Sequence, residues 1–119
     1  MTIRTKAPKK RRLTVEEIEE EEKWKRVLNK GEKMVKQETV KKKNKGLLWR
    51  TRILVLTNRR LFYMNKDMQM KGDLNLHECT VHRLSAKNRF AITSQAKGER
   101  TIESKTTDHW IEVISNALA

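Results

Sequence analysis

Two short runs of aliphatic, β-branched and aromatic residues, 50–56 (RTRILVL) and 61–64 (LFYM), stand four residues apart, with Thr57-Asn58-Arg59-Arg60 between them. Each run is too short for a stable helix and rich in residues that suit a pleated, half-buried surface, so the pair reads as a tight β-hairpin. The same rhythm extends outward to further extended segments at 34–40, 73–76, 79–84, 89–94 and 99–103, with Gly72, Asn88 and Gly98 marking turns. Seven short strands at this spacing imply a mainly β domain, an antiparallel barrel or sandwich. The period then changes. Trp110, Val113, Ile114 and Ala117 fall at i, i+3, i+4 and i+7 behind Thr106 or Thr107 as N-cap, with Asp108 in the first turn. A single amphipathic helix after seven strands has an evident use: it closes one end of the barrel and buries Trp110 there.

The segment before the strands is organised differently. Thr14-Val15-Glu16-Glu17 has the spacing of a capping box, and acids at 19–22 followed by Lys23, Lys25, Arg26 and Lys30 suit a helix macrodipole. Asn29 and Gly31 supply stop signals. A helix is therefore expected over 14–30, docking weakly through Trp24 or offering a surface to a protein partner. Residues 1–13 are basic, carry no acid and have too little apolar surface to offset the entropy of ordering, so a disordered tail is expected. Its Lys9-Lys10-Arg11-Arg12 run suits either a solubilising tail or a nuclear signal. The strand-rich domain occupies 31–119.

A chain of 119 residues closes one modest core and leaves no room for a second, catalytic domain. Its formal charge of +13 calls for a polyanionic partner: nucleic acid, anionic lipid headgroups or an acidic protein surface. Aromatic residues are only 5%, and Trp24, Trp110 and Phe90 fit structural roles, so nucleic acid lacks its stacking platform. With one cysteine, Cys79, expected in a buried strand, no intramolecular disulfide is possible and a reducing compartment is expected. No apolar run reaches the roughly 18–20 residues of a membrane span, which points to a soluble, cytoplasmic chain. His77, His82 and His109 lack ligand spacing, Cys79 lies on the strand face opposite His82, and there is no Gly-rich phosphate loop. Neither metal, cofactor nor enzymatic activity is expected.

The charge is concentrated. Residues 41–60 hold eight Lys and Arg and no Asp or Glu. Side chains alternate along a strand, so Arg50 and Arg52 share a face with Leu54 and Leu56; if the leucines point into the barrel, both arginines point to its mouth. Arginine forks suit bidentate contacts to phosphate. The basic run 41–46 reads as a loop between the first two strands.

Strand order, the terminal tryptophan helix and the landmarks LWRTRILVLT (48–57), LFYM (61–64), KGDL (71–74) and Trp110-Ile111 resemble the pleckstrin homology (PH) domain family over about residues 32–118. Within it, the string from Val40 through Gly46-Leu47-Leu48 is similar to the membrane-targeting domains of 3-phosphoinositide-dependent protein kinases. That narrower resemblance would place catalysis in a kinase domain elsewhere in a parent protein. The family resemblance implies a phosphoinositide-binding module recruited peripherally to membranes. Its site would comprise Lys41 at the end of the first strand, Lys43 from the loop, Arg50 and Arg52 opening the second strand, Tyr63 late in the third and Lys71 before the fourth. Leu47 and Leu48, with Lys45 beside them, would touch the membrane; the alternative is that Leu48 and Trp49 simply begin the second strand and pack. The 3,4,5-trisphosphate and 3,4-bisphosphate headgroups are favoured only through this resemblance. Many domains of this fold bind no lipid, so a protein-docking module is the rival reading.

Overall fold

The computed structural model describes residues 14–43 and 48–118. The expected basic tail therefore lies outside the described residues. Chain contacts separate two units, one ending at Lys30 and one beginning at Gly31.

In the first unit, α1 spans Val15–Val27. Its N-terminus is a complete capping box: the Glu17 amide donates to Thr14 Oγ1 at 3.1 Å and the Thr14 amide donates to Glu17 Oε1 at 2.8 Å. Glu16 and Glu17 in the first turn and Lys25 and Arg26 in the last complement the helix dipole. The apolar stripe is too ragged to bury any residue fully, and Trp24 Nε1 donates to Glu20 Oε1 one turn earlier at 3.2 Å.

The second unit is an antiparallel sheet of seven strands: β1 Met34–Lys43, β2 Arg50–Thr57, β3 Leu61–Met64, β4 Met70–Leu74, β5 Cys79–Arg83, β6 Arg89–Ser94 and β7 Gly98–Glu103. They lie in the order β4-β3-β2-β1-β7-β6-β5, followed by α2, Thr107–Leu118. A short 3₁₀ turn, Leu76–Glu78, joins β4 to β5. The core is the inner face of the strands plus one stripe of α2. Leu54, Leu56, Phe90, Ile92 and Ile102 meet Trp110 and Ile114 there, each fully or almost fully buried. Burying each such side chain stabilises the fold by about 1.5–3 kcal/mol. The strand directions put the β1–β2, β3–β4 and β6–β7 connections at one end of the sheet, the mouth.

Three local expectations change. β1 does not stop at 40. Lys41 and Lys42 pair with Thr51 and Arg50 of β2, and Lys41 to Lys43 pair with Glu103, Ile102 and Thr101 of β7, so two ladders hold the lysine run extended. Gly72 is not a turn residue but lies inside β4 opposite Tyr63, where a Cβ would come within 2.2 Å of the phenol ring. Glycine is the residue that allows this close approach. The fourth strand ends at Leu74 because Asn75 turns the chain, its side chain accepting from the His77 amide at 3.0 Å. Asn88 and Gly98 do mark turns, in the left-handed region at φ 61° and 75°. Cys79 is a buried strand residue, and burial pushes its thiol above the ordinary value, aided by the charge of Glu78.

Candidate anion-binding site

With β1 continuous to Lys43, alternation assigns Lys36, Glu38, Val40 and Lys42 to its inner face. Val40 is 3% exposed and Lys42, a charged side chain, only 5%. Cross-strand partners share a face, so the pairings Val40 with Arg52 and Lys42 with Arg50 bring both arginines to the side of Lys42. Leu54 pairs with Tyr63, which adds the phenol, and Lys42 pairs with Ile102, so Arg100, two residues before Ile102, joins from β7.

These groups meet at the mouth. Lys42 Nζ lies 4.4 Å from the Tyr63 ring centroid, close enough for a cation–π contact. Arg100 lies near enough to act on the phenol, and its Nη1 donates to the carbonyls of Lys97 and Glu99. Its Nε is buried with no hydrogen-bond partner. Arg52 is steadied by donation from Nη1 to the Thr51 carbonyl at 2.9 Å. Among the described residues, none of Lys42, Arg50, Arg52 and Arg100 makes an ion pair with a carboxylate.

The electrostatics follow. Desolvation pushes the Lys42 ammonium below its ordinary value; Tyr63 opposes this, and the charges of Arg100 and Arg52 add to it. Burial alone would raise the Tyr63 phenol, yet hydrogen bonding to Arg100 and the charges of Lys42 and Arg100 bring it below its ordinary value. Concentrated positive potential with no internal counter-charge is the arrangement that attracts a compact polyanion.

Of the residues expected from sequence, the fold brings together Arg50, Arg52 and Tyr63. Lys41 and Lys43 lie on the opposite face of β1, because the strand continues through them and reverses their side chains relative to Lys42. Lys71 is exposed in a bulge of β4: Tyr63 pairs with Gly72 and Met64 with Met70, leaving Lys71 without a cross-strand partner. Lys43 sits 5.1 Å and Arg89 4.8 Å from the Trp49 ring centroid, so this tryptophan packs among cations, whereas Leu48 is 71% exposed. Lys45 and Leu47 lie outside the described residues. Lys42 and Arg100 were missed. Parity with the apolar Val40 and Ile102 could have found both, had β1 been read to its full length.

A family model described as PH domain matches residues 22–119. Among solved structures, the C-terminal PH domain of pleckstrin matches at 21% identity, covering 72% of this chain and 98% of that one, with a TM-score of 0.64. The same domain solved in complex with D-myo-Ins(1,2,3,5,6)P5 matches at 21% identity over 72% of this chain and 96% of that one, also at 0.64. The PH domain of human oxysterol-binding protein-related protein 11 matches at 16% identity over 70% and 78%, at 0.58. A comparison with curated proteins finds no match. The narrower likeness to kinase-targeting domains is not shown by these comparisons. Strand order, terminal helix and sequence match agree, and the chain belongs to the PH domain family.

Proposed function

We propose that this PH domain binds phosphoinositide headgroups at the mouth of its sheet and recruits the protein that carries it to anionic membranes. The observation that carries the reading is the convergence of Lys42, Arg52 and Arg100 around Tyr63 with no carboxylate among them. Arg50 extends the site outward. Lys42 supplies a point charge, the arginines supply forks for paired phosphate oxygens and Tyr63 a neutral donor. Each charge-assisted bond contributes about 1.5–3 kcal/mol, so several together support micromolar binding after the cost of association. A relative of the same fold has been solved with an inositol pentakisphosphate, which supports the ligand class. The PH fold itself is a non-catalytic module, so this domain recognises rather than transforms its ligand. Among the described residues no helix is long and apolar enough to cross a membrane. Contact is therefore assigned to the charged mouth and the exposed Leu48 beside it, each nearby Lys or Arg adding about 1 kcal/mol of attraction to an anionic leaflet.

Sedimentation with vesicles carrying each phosphoinositide in turn, at low and high salt and with duplex DNA as competitor, tests the reading. Selectivity among headgroups that survives high salt is expected. Binding that follows only total lipid charge, or that DNA removes in proportion to its phosphate, would overturn it.

A further inference from the structure

The turn between β5 and β6 holds a serine that the fold leaves open. Ser85 to Asn88 are all exposed. The turn is closed behind them, where the Leu84 amide donates to the Arg89 carbonyl at 3.1 Å and the Ser104 amide to the Asn88 carbonyl at 2.8 Å. Among the described residues the Ser85 hydroxyl has no hydrogen-bond partner, and no backbone bond restrains Ser85, Ala86 or Lys87. The other serines and threonines of this unit are buried, lie in strand ladders, or belong to α2 and the residue before it. Ser85 therefore combines an accessible hydroxyl with a backbone that an enzyme can draw into an extended shape without breaking a ladder.

Its neighbours are basic on both sides. Arg83 stands two residues before it and Lys87 two residues after, so in an extended chain guanidinium, hydroxyl and ammonium project from the same side. Arg83 Nη2 pairs with Asp108 Oδ1 in the first turn of α2, but both side chains are largely exposed, and a pair of that kind holds its members weakly. Lys87 makes no ion pair among the described residues. It borders a hollow with Lys41 and Thr51, which places the turn on the flank of the β1–β2 hairpin whose inner face forms the mouth.

We infer that Ser85 is a phosphorylation site for a serine kinase that selects basic residues on both sides of its acceptor, and that the phosphate loosens the domain from anionic membranes. The effect on membranes rests on the headgroup reading above; the modification itself does not. In the transfer Ser85 Oγ attacks the γ-phosphorus of ATP, the bond from that phosphorus to the bridging oxygen breaks, ADP leaves with the electron pair, and the hydroxyl proton passes to the kinase's carboxylate base. The product carries about 1.5–2 negative charges at neutral pH and three acceptor oxygens. Arg83 and Lys87 are placed to donate to them, Arg83 exchanging a single exposed carboxylate for a dianion. Each basic residue near an anionic leaflet counts for about fivefold in attachment, so two opposing charges on the flank of the hairpin should cost about tenfold or more.

The test incubates the whole chain with the catalytic domain of protein kinase C and Mg²⁺-ATP and locates the phosphate by mass spectrometry. Treated and untreated chains are then sedimented at low salt with phosphatidylcholine vesicles carrying phosphatidylserine and phosphatidylinositol 3,4,5-trisphosphate. Phosphate on Ser85 is expected, with its rate of incorporation lowered about tenfold in the double variant Arg83→Gln, Lys87→Gln. The treated parent should attach about tenfold more weakly than the untreated one. Ser85→Ala, which removes an exposed hydroxyl without a partner and should melt with the parent, ought to keep its attachment after the same treatment. Phosphate found only at other residues, or incorporation at Ser85 that the double variant leaves unchanged, overturns the inference. Equal attachment of phosphorylated and unmodified parent also overturns it, while the headgroup reading stands. If the unmodified parent fails to sediment although Ser85 is labelled, the headgroup reading falls and the modification site is supported.

Discussion

Glu38 and Lys42 sit four residues apart on the inner face of one strand, and the chain treats them in opposite ways. Glu38, at the end closed by α2, receives donors from Ser104, Thr106 and Trp110. Burial would raise its carboxyl, but those bonds and the charge of Lys36 hold it below the ordinary value. Lys42, at the open end, has two like charges nearby, an aromatic ring beneath it and no carboxylate partner among the described residues. A buried polar group whose partners all come from the same chain is structural, since every bond it makes is present in the free protein. A buried cation left without a counter-charge destabilises the free protein, and a bound polyanion is what completes it.

The comparison is tested most severely at the closed end. Trp110 is wholly buried and also anchors Glu38, so Trp110→Ala should cost about 3–5 kcal/mol and lower the melting point by more than about 10 °C. A variant melting within a degree of the parent would mean the helix does not close the core. At the open end the effect should fall on binding alone. Arg52→Ala is expected to weaken phosphoinositide binding by about 1.5–3 kcal/mol with the melting point nearly unchanged, because its side chain donates only to a neighbouring carbonyl. Equal sedimentation of variant and parent would refute the site.

Glu38→Leu comes next in size. It removes the acceptor shared by Ser104, Thr106 and Trp110, leaving Trp110 Nε1 without its partner, and should cost about 1–3 kcal/mol in thermal denaturation without altering headgroup affinity. Its pH signature has a definite sign. A carboxyl lowered in the folded state contributes stability above its unfolded value of 4.5, and that stability is lost as pH falls through the folded value. The parent should therefore lose stability on acidification more steeply than Glu38→Leu, and parallel acid profiles for the two would remove the assigned role.

The closed end was the more legible of the two regions, for a physical reason. The i, i+3, i+4 spacing of Trp110, Val113 and Ile114 is a pattern of apolar residues, and burial of apolar surface is what such patterns report. The strands from Arg50 to Met64 were legible on the same ground. The open end is polar, and there the rule that lysine runs form loops hid the two ladders that keep Lys41 to Lys43 extended. A shift of one residue in reading a strand reverses every side chain, so that single misjudged boundary put Lys41 in place of Lys42. Arg100 went unread for a related reason: parity with Ile102 gives its face, but only the pairing of Lys42 with Ile102 carries that face to the mouth, and the shortened β1 hid that pairing. Gly72 looked like punctuation because a glycine chosen for ring clearance and one chosen for a turn are the same letter.

The smallest expected effect is the most specific to the comparison. If Lys42 is held at a cost that a ligand relieves, replacing it with an uncharged side chain of similar length should stabilise the free domain while weakening binding. Lys42→Met is expected to raise stability by about 0.5–2 kcal/mol at neutral pH. The sign of its pH dependence follows from linkage. The folded ammonium has a lowered value, so between that value and 10.5 the unfolded chain holds more protons and parent stability rises with pH. Tyr63, also lowered, acts in the same direction. The advantage of Lys42→Met should therefore shrink steadily as thermal melts are taken from neutral pH towards 10.5, and a phosphoinositide headgroup at one fixed concentration should stabilise the parent more than the variant. A variant less stable than the parent at neutral pH would show that the stacking of Lys42 on Tyr63 outweighs the repulsion. The mouth would then be a structural cluster like the one around Glu38.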